Sequence, residues 1–324
     1  DLQPRGSAGE HSPAKNAKFD VSNKQRLGFS EVELVQKMID GVSKVIELEE
    51  MLAGGATPAD VRAKVEEMKK DMGGEAAAAP AAAPAAKTTK EIVDGLLTTY
   101  AETTGTKFEL PGDAKDTEDF KYFALSECPK FTDKHRSAMA KYMTPELFEK
   151  LKDVKSAKGY TLSNAVQTGC LLPHLGVGAT CGDEESWELF KDLYYPIIKD
   201  WHGYDAETQT HPTDLDPSKL VFSEAQKTKF NKYVASTRIR AARNIAGFSL
   251  PCGATVEERA GVESVLKQAF AGLDGNLKGT YYELGGLSDE QTNFLLEKGY
   301  LFQIPTARNL LMGAGAARSW PDNR

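Results

Sequence analysis

The chain has 324 residues, 40% of them apolar and 27% charged, with a formal net charge of -7. That is enough apolar material to bury cores in two or more domains, and the acidic balance argues against nucleic acid or an anionic membrane as the main partner. Four widely spaced cysteines, Cys128, Cys170, Cys181 and Cys252, show no CxxC spacing and read as reduced thiols, and with no signal peptide or apolar run of membrane length the expected location is the cytoplasm.

In chain order, Ser30 with Glu33 forms a capping-box pattern, and Val35, Met38, Ile39, Val42, Val45 and Ile46 then recur at helical spacing. This helix should stop near Gly54 and Gly55. Thr57 and Pro58 suit the cap and first turn of a second helix reaching Met72, whose narrow stripe of Val61, Val65, Met68 and Met72 predicts loose packing. Residues 73–89, GGEAAAAPAAAPAAKTT, have nothing to bury and read as a linker. An alanine helix there would be interrupted by Pro80 and Pro84, at about 3 kcal/mol each.

Helical signals then return. Thr144 and Pro145 suit a helix start, and Phe190, Leu193, Tyr194, Ile197, Ile198 and Trp201 trace one face, with Pro196 expected to kink the helix. Those aromatics read as core side chains. Residues 233–240 read as a strand that would place Arg238 and Arg240 on one face, two guanidinium forks suited to a polyphosphate, or else a solvated basic edge. Thr255 with Glu258 and Ser288 with Gln291 give two further capping boxes, and Asp274 and Gly275 mark a turn into an expected strand over 278–284.

Several stretches carry a stronger signal together. KYVASTRIRAARNIAGFSLP (232–251), MTPELFEKLKDVKSAKGYTLSNAVQTG (143–169), GDEESWELFKDLYYPIIKDWH (182–202), LKGTYYEL (277–284) and AARSWPDNR (316–324) resemble, in collinear order, the front of the phosphagen kinases, the arginine and creatine kinase family. The resemblance covers about residues 120–324. Residues 4–52, beginning PRGSAGEH, resemble instead the extreme C-terminal end of the same family, so an end precedes a beginning. The expected organisation is a junction within a tandem enzyme. Residues 1–72 would close an upstream catalytic domain, 73–90 form the Ala/Pro linker, 91–205 form a helical N-terminal domain, and 206–324 begin the next catalytic domain. The fold class is α+β, a small all-helical domain followed by the start of a domain of antiparallel sheet plus helices. Circular permutation is the alternative, weakened because nothing resembles the family's NEEDH or CPTN segments. On this reading the 324 residues alone are inactive.

The resemblance implies reversible transfer of the γ-phosphoryl of MgATP to a guanidino nitrogen for energy buffering, chemistry that needs alignment and charge neutralisation. It assigns Arg5, Arg238 and Arg240 to the nucleotide phosphates, with Arg5 on a loop that closes and excludes water. Glu10 would hold the substrate guanidinium, which favours arginine over creatine. The backbone amides of Gly176, Val177 and Gly178 would receive the substrate carboxylate, and Thr180 would also belong to the substrate-binding loop. Thr180 stands where arginine kinases carry Tyr, and CGDEES is closer to creatine-kinase wording, so taurocyamine and creatine remain alternatives. Besides ATP or ADP with Mg2+ and a guanidino substrate, the expected partners are a covalent tandem neighbour or a homodimer mate. A noncatalytic docking or dimerisation module is the competing class. Taken alone, the residue pattern makes Glu10, His11 and the Gly-rich turn ordinary loop features, His174 an exposed loop residue, His202 a packing or capping residue, and Cys181 an unactivated thiol.

Overall fold

The computed structural model describes residues 2–4, 19–21, 27–72, 89–105, 123–235, 237, 242–301 and 305–317. They fall in two bodies, Asp1–Ala83 with Trp201–Ala241, and Pro84–Asp200 with Ala242–Arg324.

The first body is built around helix α1 (Glu31–Ala53), which starts as its capping box dictates. Ser30 is extended, its side chain accepts from the Glu33 amide, and the Glu33 carboxylate accepts from the Ser30 amide at 2.7 Å. Gly54 caps the far end through the Glu50 and Leu52 carbonyls, and Gly55 at φ +89° turns the chain. Helix α2 (Pro58–Met72) follows, opened by Thr57, whose amide and hydroxyl both donate to Asp60. Met68 is buried there, whereas Val61 and Val65 are half-buried, in keeping with its narrow stripe. Helix α1 packs on α2 and on helix α9 (Glu224–Tyr233), burying Val45 and Ile46 and leaving Val35 and Met38 exposed. A short antiparallel pair, β1 (Leu2–Pro4) and β2 (Phe19–Val21), sets Leu2 opposite Val21 and Pro4 opposite Phe19.

The second body gathers α3 (Thr89–Thr104), α4 (Ala138–Tyr142) and α12 (Leu310–Gly313) around α6 (Leu162–Leu171). Nine of the ten α6 residues are buried, so this helix is enclosed rather than amphipathic. Among its polar side chains, Asn164 closes a capping box with Thr161 and Gln167 donates to the Gly313 carbonyl at 2.8 Å, whereas the buried Thr168 hydroxyl has no hydrogen-bond partner among the described residues. Helix α5 (Pro145–Leu151) begins at the expected Thr144 cap and buries Phe148 and Leu151. Helices α7 (Glu184–Leu189) and α8 (Lys191–His202) follow. Phe190, Leu193, Tyr194, Ile197 and Ile198 are buried, so the aromatic face is core as expected, and α8 continues through Pro196.

The expected strands differ. Tyr233 is the last residue of α9, not the first of a strand, because Ser223 with Gln226 forms a capping box and Phe222 packs edge-on against Phe230 one helix length away. The rest of that expected strand, including Arg238 and Arg240, lies outside the described residues. Residues 278–283 join no ladder among the described residues and run between two single 3-10 turns, Gly275–Leu277 and Leu284–Gly286. Their attachment is by side chain. Tyr281 donates its hydroxyl to Glu263 of helix α10 (Val256–Ala271), and Lys267 sits over its ring at 4.9 Å. Sheet pairing needs a partner edge, and β1–β2 is the only pairing of strands among the described residues, so the antiparallel sheet expected for the catalytic portion is not seen there. Accordingly α10 and helix α11 (Asp289–Lys298) leave Val265, Phe270, Phe294 and Leu296 exposed.

The contrast between enclosed and open faces is testable by urea unfolding. Phe190→Ala, at a fully buried ring, is expected to cost about 3–5 kcal/mol. Leu277→Ala, at a side chain 71% exposed, should stay within about 0.5 kcal/mol of the parent.

Candidate substrate-loop site

The loop over 172–183 is set by backbone contacts with α4 and α6. The first amides of α4 point at it: Ala138 donates to the Gly176 carbonyl at 2.8 Å and Met139 to the Val177 carbonyl at 3.0 Å. The Gly169 amide, on α6, donates to the Gly178 carbonyl at 2.8 Å. All three loop carbonyls are thus held by the protein, while the amides of Gly176, Val177 and Gly178 donate to no acceptor among the described residues. A run of unsatisfied amides on a fixed backbone is the chemistry of an anion nest.

Two glycines make the approach feasible. Gly178 has φ +77°, and a Cβ there would lie 2.5 Å from the Oγ of Ser137 and 3.1 Å from the Gly169 Cα. A Cβ on Gly169 would reach the Gly178 carbonyl oxygen at 2.6 Å. Ser137 is itself fixed as the N-cap of α4, accepting from the Ala140 amide.

Thr180 is held on every side. Its amide donates to Ala165 at 2.9 Å, its carbonyl accepts from the Tyr194 hydroxyl at 2.7 Å, and its hydroxyl lies 3.1 Å from that of Tyr160. Burial pushes both phenols well above their ordinary pKa, so they serve as neutral donors. Sequence reasoning missed Tyr160, Tyr194, Ser137 and Gly169. Their signal was weak, because each acts across 9 to 41 residues of sequence through a single polar atom or a missing Cβ.

Beyond the loop, Gly182 lies against the Tyr160 ring, and its carbonyl accepts from Leu250 at 2.8 Å. Asp183 caps α7 and also accepts from the Ser156 hydroxyl. Lys158 reaches the Gly247 carbonyl and the Glu258 carboxylate, both at 2.9 Å, and Ser249 donates to the same carboxylate. Burial would raise the Glu258 pKa, but Lys158, Ser249 and Thr255 outweigh it and hold the carboxyl below its ordinary value. A shallow cleft of about 380 Å³ lies here, lined by Lys158, Asp183, Glu184, Glu185, Gly247 and Phe248.

Among the expected site residues, the structure brings together Gly176, Val177, Gly178 and Thr180, whereas Arg5, Glu10, Arg238 and Arg240 lie outside the described residues. So do all the positions assigned to MgATP, and among the described residues no cluster of His, Cys, Asp or Glu could hold a metal ion. His174 is exposed, and partial burial of its ring together with the neighbouring Arg308 holds its pKa below the ordinary value. None of the four cysteines is in a disulfide, and burial raises the thiol pKa of Cys128, Cys170 and Cys181.

Two outcomes follow. Gly178→Ala should destabilise the protein by about 1–3 kcal/mol through overpacking and a strained φ, measured by denaturant unfolding. Because the raised pKa leaves little thiolate at neutral pH, Cys181 should alkylate slowly at pH 7 and faster as pH rises, read by mass spectrometry of labelled peptides.

Residues 133–199 match the family model "ATP:guanido phosphotransferase, N-terminal domain", and residues 1–52 match "ATP:guanido phosphotransferase, C-terminal catalytic domain". The chain is similar to the flagellar creatine kinase of Strongylocentrotus purpuratus, 33% identical over the whole chain and 23% of that protein. It is also similar to the M-type creatine kinase of Gallus gallus, 39% identical over 63% of this chain and 53% of that one. A crystal structure of lombricine kinase aligns at a TM-score of 0.50 and 31% identity, covering 62% of this chain and 55% of that one. The chain thus spans about a quarter of one curated relative and about half of the other. No helix among the described residues is long and apolar enough to cross a membrane. With both family models matched, catalytic-domain sequence ahead of N-terminal-domain sequence, the chain belongs to the phosphagen kinases, the ATP:guanido phosphotransferases.

Proposed function

We propose that the protein containing these residues moves the γ-phosphoryl of MgATP reversibly to a guanidino nitrogen, as part of a tandem enzyme. The observation that carries this reading is the loop whose carbonyls are tied to α4 and α6 while the amides of Gly176, Val177 and Gly178 remain available for an anionic group of the acceptor. Arg5, Arg238 and Arg240 would neutralise the nucleotide phosphates, and Glu10 would hold the guanidinium in line. Magnesium would arrive with the nucleotide. Thr180, its hydroxyl already beside Tyr160, acts by positioning the loop.

The tandem arrangement is supported by order. The alignment with the sea-urchin relative runs through the whole chain in one direction within a protein over four times as long, so tail-like sequence precedes head-like sequence there too. Arginine is the acceptor favoured by Glu10. Creatine is the second reading, favoured by Thr180, by the CGDEES wording and by the names of the two curated relatives; taurocyamine is a further candidate.

A coupled phosphotransfer assay with MgATP against arginine, taurocyamine, glycocyamine and creatine tests both points, run on this chain and on a version continued past Arg324. Activity is expected only in the longer protein, and Arg238→Ala or Arg240→Ala there should lower turnover about 10²–10³-fold. Turnover by the 324 residues alone would favour a permuted enzyme. A folded but inactive longer protein would favour a docking module.

A further inference from the structure

The first body joins two pieces far apart in sequence, and the polar contacts between them run in register. The Gly28 amide donates to Nδ1 of His211 at 3.2 Å, and Gly28, at φ +86°, lies against the Tyr204 ring. One turn on, the Val32 amide donates to the Asp214 carbonyl at 3.1 Å, and the Asp214 amide donates to the Glu31 carboxylate at 2.8 Å. Gln36 then pairs with both backbone groups of Val221, accepting from its amide at 2.8 Å and donating to its carbonyl at 3.1 Å. Further along, Ser43 meets Gln226, and Glu50 pairs with Lys229 at 2.7 Å. Contacts at 28, 31, 32, 36, 43 and 50 thus meet 211, 214, 221, 226 and 229 in ascending order, over about 30 Å of helix.

Such a match is specific. Two segments tethered by an Ala/Pro stretch and touching by chance would not pair backbone amides and carbonyls at successive points, because each such bond needs its donor and acceptor at a fixed distance and angle. Residues 27–52 also lie in the part that matches the family's catalytic domain, whereas 204–233 follow the part that matches its N-terminal domain.

We propose that residues 27–53 act as a strap donated from one kinase unit to the next, the ordered side-chain to backbone pairing between α1 and residues 204–233 interlocking consecutive units noncovalently. This rests on the tandem reading given above. It makes the Ala/Pro stretch a tether rather than the sole connection, and it gives the tail of each unit a second task, covering the segment that leads into Arg238 and Arg240 of its neighbour.

The test needs no catalysis, so its failure would leave the kinase reading intact. A protease site placed within residues 73–88 is cut under native conditions, and the product is followed by size-exclusion chromatography and mass spectrometry. The two pieces are expected to elute together, and Glu31→Ala with Gln36→Ala should weaken their association about tenfold or more while circular dichroism of each piece is retained. The same cut in the longer protein should leave its units together. Separation of the pieces after cutting, or association indifferent to both substitutions, would overturn the strap.

Discussion

The second body depends on how closely two backbones meet at Gly169 and Gly178. With no Cβ on either side, the loop lies directly on α6, and the Gly169 amide finds its acceptor in the loop. That contact also brings the loop beneath the first turn of α4, where orphan amides need acceptors and take the Gly176 and Val177 carbonyls. The helix N-terminus and the loop therefore solve each other's hydrogen-bonding requirement. What remains unspent is a row of loop amides, the feature on which the functional reading stands.

Thr180 fixes the far end of the same loop. Its amide, carbonyl and hydroxyl are engaged by α6, Tyr194 and Tyr160, so the loop leaves α6 at a fixed point and enters α7 at a fixed cap. The phenols are suited to this because burial keeps them neutral, and a neutral hydroxyl can donate to a carbonyl where a phenolate could not. Glu258 plays a comparable part further along, gathering Lys158, Ser249 and Thr255 onto one carboxylate.

The first body is held differently, with few buried apolar side chains and much side-chain to backbone pairing. The irregular stretch ahead of α9 has no ladder partner among the described residues, so its amides and carbonyls turn to Glu31, the α1 backbone and Gln36. Polar matching of this kind sets register more strongly than it sets stability, since each exposed hydrogen bond adds only about 1 kcal/mol.

Local chemistry was enough to read the helix starts at Ser30, Thr144, Thr255 and Ser288, because a capping box, or at Thr144 an N-cap followed by proline, involves residues at most three apart and needs nothing else. The buried face of Phe190 to Ile198 was legible for the same reason, and the order of family motifs revealed catalytic-domain sequence ahead of N-terminal-domain sequence. Tyr233, read from sequence as the start of a strand, instead ends a helix whose start is signalled by Ser223 and Gln226. Sequence alone could not show that residues 278–283 stay out of a sheet, that Thr180 faces Tyr160, or that α1 lies along residues 204–233. Those facts belong to tertiary structure, because each depends on a partner that spacing within one segment cannot name: a sheet edge, a phenol 20 residues upstream, or a backbone amide 185 residues away.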